Sequence, residues 1–390
     1  MLRLLARALA VLAIIAVAAG FIYRDRIAQL MAVNSLFAED RIVENFSSMP
    51  SLFYSTELSR GDGPVSELPQ GPELDLPEDY ANWVEARSIT SVVVLHDGEI
   101  VHEAYYKGTG PEDRRISWSV AKSYLATLVG TAVDAGEIAS LDDPVTQYAP
   151  SLAGTAYDGN TVRSILQMSS GVVFDEDYLD FWSDINRMGR VLALGRSMDG
   201  FAEDLSETFI APGEKWHYVS IDTHVLGMVL RGATGRSVVD LIQERLLGPL
   251  GLEQDGAYVT DGDGVAFVLG GLNFTTRDYA RFGQMVLEGG EWQGERIVSE
   301  AWLTEATRAS ANTEPGSIRY GYQWWILGDE DISDPDHAFL GRGIYGQHLY
   351  IDPKRNVVIM QTAADRSFQA PGAFDETIAM LRQLAAATED

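Results

Sequence analysis

Two β-hairpin patterns bracket a long helical middle, and this arrangement leaves few folds open to the chain. The first hairpin covers residues 91–106, with SVVVLHD, a turn at Gly98 and then EIVHEAYY. β-Branched and aromatic residues suit a pleated surface, and glycine suits the turn. The second covers Ile344 to Ile351 and Asn356 to Thr362, turning at Asp352-Pro353-Lys354. Between them, apolar spacing predicts helices over 119–133, 161–168, 222–233, 237–247 and 276–287, and a final helix follows over 374–386. Strands at both ends with helices between predict an α+β architecture. The two ends build one antiparallel sheet flanked by helices, and the middle builds a helical lobe.

The N-terminal 23 residues, MLRLLARALAVLAIIAVAAGFIY, place Arg3 and Arg7 before an apolar run from Ala8 to Tyr23. Three readings stand: a cleaved signal peptide with Ala16-Val17-Ala18 as its small-residue site, an uncleaved membrane helix, and a buried helix of the fold. The anchor is favoured, because the run stays apolar to its end and Ile27 to Phe46 continues as amphipathic helix. Both export readings leave the positive flank in the cytoplasm. They put the rest in the periplasm, either held at the inner membrane or released. Residues 59–79 contain four prolines and three glycines, which predicts a linker or surface wrap. The expected organisation is a signal anchor or signal peptide over 1–23, a helical and Pro/Gly-rich linker over 24–78, and a folded region over 79–390.

Composition excludes several classes. A net charge of −28 repels a phosphate backbone, so nucleic acid is not an expected partner. With no cysteine there is no disulfide, thiolate zinc site or cysteine nucleophile. The six histidines are scattered and form no His-Glu-x-x-His, so neither metal nor cofactor is expected.

The chemistry concentrates in Arg115-Ile116-Ser117-Trp118-Ser119-Val120-Ala121-Lys122-Ser123. Ser119 and Lys122, three apart, share a helix face. Ser119 falls in the first turn, where unpaired N–H groups and the helix dipole favour developing negative charge. A serine hydroxyl needs a neighbour to take its proton, and lysine does so only when burial depresses its pKa. Only four of 29 basic residues are lysines (Lys107, Lys122, Lys215, Lys354), so arginine is the default cation here. Lys122, in an apolar helix and followed by the uncharged stretch 124–130, suggests an amine that must sometimes be neutral, which arginine cannot be. The same spacing also arises from a snorkelling lysine beside a chance serine.

Two further segments add context. Pro212-Gly213-Glu214-Lys215-Trp216-His217-Tyr218-Val219-Ser220 offers two hydroxyls, of Tyr218 and Ser220, just before a helix. A cationic lysine nearby pulls a tyrosine toward phenolate, although a packed aromatic fits Tyr218 equally. Gly341-Arg342-Gly343-Ile344-Tyr345-Gly346-Gln347 opens a strand, where an edge N–H can meet an oxyanion beside the N–H of Ser119. An ordinary glycine-rich strand entry reads the same way.

In this order the three pieces resemble the serine β-lactamase and penicillin-binding-protein superfamily, whose signature is Ser-x-x-Lys, then Tyr-x-Asn or Tyr-x-Ser, then Lys-Thr-Gly or a substitute. The resemblance runs from about Asp79 to the C-terminus. It includes Leu166-Gln167-Met168-Ser169-Ser170-Gly171 and Arg277-Asp278-Tyr279-Ala280-Arg281-Phe282-Gly283. It is strongest to the class C-like branch of esterases, D-aminopeptidases and 6-aminohexanoate-dimer hydrolases. It implies a β-lactamase/transpeptidase-like fold, with Ser119 as nucleophile, Lys122 as its proton partner and Tyr218 as general base or acid. Ser220 takes the asparagine position, the Ile344 N–H completes the oxyanion hole at Gly343, and Tyr345 and Tyr178 meet the substrate. Gly341-Arg342-Gly343 lacks the lysine that would meet a β-lactam carboxylate, and strand alternation turns Arg342 to another face. The resemblance therefore implies hydrolysis of a small-molecule ester or amide. A penicillin-binding carboxypeptidase or sensor, or an inactive binding module, stands as the alternative. Trp118, Phe181, Trp182, Trp216 and Tyr345 are candidates for the wall of an apolar acyl pocket.

Overall fold

The structure, a computed structural model, describes residues 2–327 and 337–389. Its centre is a seven-stranded antiparallel sheet. In chain order the strands are β1 (Ser55–Leu58), β2 (Ile89–His96), β3 (Glu99–Tyr105), β4 (Arg115–Ile116), β5 (Gly256–Val259), β6 (Leu272–Phe274), β7 (Glu291–Trp292), β8 (Glu295–Arg296), β9 (Arg319–Tyr320), β10 (Trp325–Ile326), β11 (Phe339–Gly343), β12 (Gln347–Asp352) and β13 (Val357–Ala363). The large sheet has the order β3-β2-β13-β12-β11-β10-β9, so the two ends of the folded region meet where β2 pairs with β13.

Both faces of this sheet are buried, which explains the unbroken run of apolar residues in β2. Val93 and Leu95 point into the main core, whereas Val92 and Val94 point into a second core on the opposite face. Strand β13 alternates in the same way, with Val358 and Met360 on one side and Val357 and Ile359 on the other. The second core is roofed by the helices Tyr80–Ala86 and Ala373–Ala386. The main core is filled by the helical middle, centred on the helices Ala121–Asp134 and Ser220–Thr234. Twelve residues of the first, from Ala121 to Ala132, are buried. Packing there is close: a Cβ at Gly130 would stand 2.4 Å from the Trp302 ring.

Residues 24–78 differ from the linker expected for them. Leu36, Ile42, Phe46, Met49, Phe53 and Leu58 are all buried in the main core. β1 extends a second, four-stranded sheet by pairing with β5. Sequence periodicity missed this because the buried residues come from short helices and a four-residue strand, too brief to show a period. The Pro/Gly-rich stretch after β1 wraps over β3, where Gly71 N–H donates to Ile100 O at 2.9 Å and Leu74 N–H to Val101 O at 2.8 Å.

Residues Leu2–Ile22 form a helix, and Leu5, Leu9, Leu12, Ile14, Ile15 and Phe21 are exposed on it. Among the described residues, no helix is long and apolar enough to cross a membrane, so the expected membrane helix is unsupported there. Met1 and the side chains of Leu2, Leu4, Ala6, Ala8 and Ala16, within that expectation, lie outside the described residues.

Candidate active site

Ser119 sits in a single 3-10 turn, Trp118–Val120, which leads into the buried helix Ala121–Asp134. Lys122 Nζ donates to Ser119 Oγ at 2.9 Å, to the Leu269 carbonyl at 3.0 Å and to Ser220 Oγ at 3.4 Å. The lysine is 1% exposed. Burial pushes its pKa down to about 7, against the opposing pull of Glu176 and Asp222. An amine with that pKa is available as a base near neutrality, which an exposed lysine is not.

Ser220 starts the helix Ser220–Thr234 and faces the same lysine. Its N–H and hydroxyl both donate to the carboxylate of Glu176, the hydroxyl at 3.2 Å. Burial raises the Glu176 pKa, and the Lys122 charge opposes that rise. The two groups therefore titrate as a pair. Asp222, in the first turn of that helix, is fully buried and accepts from Tyr157 at 2.9 Å. Burial lifts its pKa to about 8.

The Tyr218 ring lies 5.3 Å from Lys122 Nζ and is stacked on Trp325 at 5.3 Å. Its hydroxyl reaches the side chains of Ser119 and Ser220. The expected pull toward phenolate does not occur. Burial, reinforced by the Glu176 charge, raises the phenol pKa above its ordinary value. Loss of water and the neighbouring carboxylate outweigh the nearby cation, so the shift has the opposite sign to the one expected from spacing.

The segment 341–347 also differs from expectation. Gly343 ends β11 rather than opening a strand, residues 344–346 form a tight turn, and β12 begins at Gln347. β11 is internal to the sheet, between β10 and β12. The N–H of Ile344 therefore lies in a β11–β12 turn, not on an edge strand. Tyr345 holds a left-handed φ of 58° in that turn, and Trp118, just before Ser119, holds one of 43°. Such backbone is costly for non-glycine residues and gathers at functional sites. Gly343 packs against the nucleophile's backbone: a Cβ there would lie 2.6 Å from Ser117 O and 3.1 Å from Ser119 N. A Cβ at Gly341 would meet Ser123 Oγ at 3.1 Å, on the same side. Arg342 points the other way, its guanidinium 3.9 Å from the Phe374 ring, as alternation requires.

On its other side Ser119 opens into a cavity of about 280 Å³. Ser220, Ile344, Tyr345 and Tyr178 line it, as do Trp118 and Phe181. Two of the proposed wall residues lie elsewhere: Trp182 is 79% exposed, and Trp216 packs on Tyr320 and Trp325. The roof comes from the N-terminal segment, with Val33, Leu36 and Phe37. Phe37 stacks on Tyr345 at 4.5 Å.

Glu176 and this roof were not found from sequence. Glu176 lies in Asp175-Glu176-Asp177, which reads as a solvated acidic run, and nothing local separates the buried member from its neighbours. No group of metal-ligating side chains occurs among the described residues.

A buried lysine behind a helix-initiating serine, set against a β-turn of an antiparallel sheet, is the arrangement of a serine hydrolase. The chain belongs to the beta-lactamase family, whose model matches residues 82–378. It is 32% identical over 340 residues to the 6-aminohexanoate-dimer hydrolase of Paenarthrobacter ureafaciens, covering 82% of this chain and 84% of that protein. A D-aminopeptidase of Brucella anthropi is 26% identical over 174 residues, covering 42% of this chain and 31% of that protein. Among solved structures, a Bacillus anthracis protein provisionally named a 6-aminohexanoate-dimer hydrolase superposes with a TM-score of 0.79. Its identity is 22%, covering 91% of this chain and 96% of that one.

Proposed function

We propose that the chain hydrolyses an ester or small amide through an acyl-enzyme on Ser119. The observation that carries this reading is the 2.9 Å hydrogen bond from fully buried Lys122 to Ser119 Oγ, at a lysine whose pKa is pushed down to about 7. Neutral Lys122 takes the Ser119 proton as Oγ attacks the substrate carbonyl carbon. The oxyanion rests on the N–H groups of Ser119 and Ile344. The carbonyl re-forms and the bond to the leaving oxygen or nitrogen breaks. That atom leaves with the proton, passed from Lys122 through the neutral Tyr218 hydroxyl. Water then attacks the acyl-enzyme, its proton moving to Lys122; the bond from Oγ to the acyl carbon breaks as Oγ takes that proton back, which frees the acid and restores Ser119 and the neutral amine. Ser220 and Glu176 hold the lysine in place from behind.

The names of the relatives, an amide-dimer hydrolase and an aminopeptidase, support a small amide as one substrate class. The absence of a lysine from Gly341-Arg342-Gly343 argues against efficient recognition of a penicillin carboxylate. Export belongs to the same proposal. It is supported by Arg3 and Arg7 ahead of the exposed apolar residues of Leu2–Ile22, and cell fractionation with a C-terminal tag tests it. The catalytic reading is tested with p-nitrophenyl acetate and acetanilides. Ser119→Ala is expected to retain its fold by circular dichroism and to lose turnover by roughly 10⁴-fold or more. Retained turnover in that variant would remove Ser119 from the mechanism.

A further inference from the structure

The cavity beside Ser119 is asymmetric in a way that bears on the substrate. Its wall includes Ser119, Ile344 and Tyr345, on the oxyanion side, and from the polar cluster Ser220, but neither Lys122 nor Tyr218, through which the leaving group takes its proton. It therefore extends from the acyl side of the scissile bond. Arg190 is the single charged side chain among the lining residues. Its guanidinium is already engaged, donating to Phe181 O at 2.7 Å and lying 4.2 Å from the Phe181 ring. No lining carboxylate is present to pair with a cation.

At about 280 Å³ the space is near the lower end of ligand pockets, which run from ~300 to ~1,000 Å³. At roughly 30 Å³ for a water-sized group, it holds on the order of nine such groups. The roof residues Val33, Leu36 and Phe37 precede the family match over 82–378, so this boundary is not part of the matched region.

We propose that this cavity binds an uncharged acyl chain of about six to eight carbons, which makes the preferred substrate a medium-chain acyl ester or amide. The inference rests on the Ser119 acyl-enzyme reading and adds the acyl group to it. An acyl chain ending in an ammonium carries its charge into a mostly apolar wall whose one ion is also positive, where only neutral groups such as the Asn34 and Asn186 amides stand in for the lost hydration.

The test uses the full chain and three substrate series below their aggregation concentrations. With p-nitrophenyl esters from acetyl to dodecanoyl, kcat/KM is expected to rise with each methylene, by up to about fourfold, to a maximum between hexanoyl and octanoyl. With acetate esters of alcohols of increasing length, it is expected to stay flat. Hexanoyl p-nitroanilide is expected to exceed its 6-aminohexanoyl counterpart by at least about tenfold. A fourth measurement, labelling by a small ethyl fluorophosphonate, reads Ser119 without regard to acyl length. A labelled protein with a flat acyl profile, a profile that follows the alcohol, or a preference for the 6-aminohexanoyl compound overturns the acyl-pocket inference and leaves the serine reading standing. An unlabelled protein overturns both.

Gly189 gives a second handle. It lines the cavity on the helix Asp184–Ala193, and a Cβ there meets nothing within 4 Å. Phenylalanine is no worse than glycine in a helix, so Gly189→Phe is expected to fold and to fill the pocket. The octanoyl-to-acetyl ratio of kcat/KM is expected to fall by tenfold or more, and an unchanged ratio contradicts the proposal.

Discussion

The two sides of Ser119 are built by opposite rules. Toward the helix Ser220–Thr234 the neighbours are polar, titratable and buried, with Lys122, Ser220 and Asp222 each 1% exposed or less. Toward the N-terminal segment they are mostly apolar, and they border a cavity rather than fill it. The first side fixes protons, since each buried ion there depends on its partners for charge. The second fixes shape, because an apolar wall selects only by volume and by the cost of burying charge. The difference teaches that reactivity and substrate choice can change independently in this chain.

The largest expected effect breaks the polar side alone. Lys122→Arg keeps a cation but cannot supply a neutral amine. Its kcat on p-nitrophenyl acetate is expected to fall roughly 10²- to 10⁴-fold, and stopped-flow assays across pH check that no alkaline recovery follows. Next comes the seam between the two sides. Gly343→Ala forces a Cβ against Ser117 O and Ser119 N, and kcat is expected to drop by roughly 10²-fold, as when an oxyanion donor is misplaced. A smaller effect sharpens the account of the lysine. The Glu176 carboxylate favours the ammonium form of Lys122, so Glu176→Gln is expected to move the acid limb of kcat/KM to lower pH. Movement to higher pH would contradict the assigned direction. The smallest effect on activity is expected far from both sides. Gly130→Ala pushes a Cβ to 2.4 Å from Trp302 and is expected to cost about 1–3 kcal/mol in urea unfolding, with little change in kcat per folded molecule.

The polar side was largely legible in the sequence, because its residues are fixed by helix starts. Ser119 and Lys122 share a face by their spacing alone, and Ser220 is the first residue of a helix. The sheet was also legible from its ends, since β2 and β13 carry long β-branched runs. The apolar side was not. Its wall combines residues near 33–53, 178–192 and 259–270 with the 344–345 turn, brought together only by tertiary packing. The turn itself was misplaced because Gly341 and Gly343 serve close approach to the Ser117–Ser123 backbone and side chains, not strand entry. Glu176 was hidden for a related reason, as burial of one carboxylate in a run of three acidic residues depends on what packs over it.

The measurement that bears most directly on the central claim is the rate of Ser119 labelling by a small fluorophosphonate as a function of pH, followed by intact mass. If buried Lys122 activates the serine, its neutral form must be present. The wild type then takes up one adduct at a rate that is low in acid, rises through about pH 7 and levels above it, while Ser119→Ala takes up none. A folded wild type that gains no adduct, or one labelled at the same rate from pH 5 to pH 9, would contradict the account.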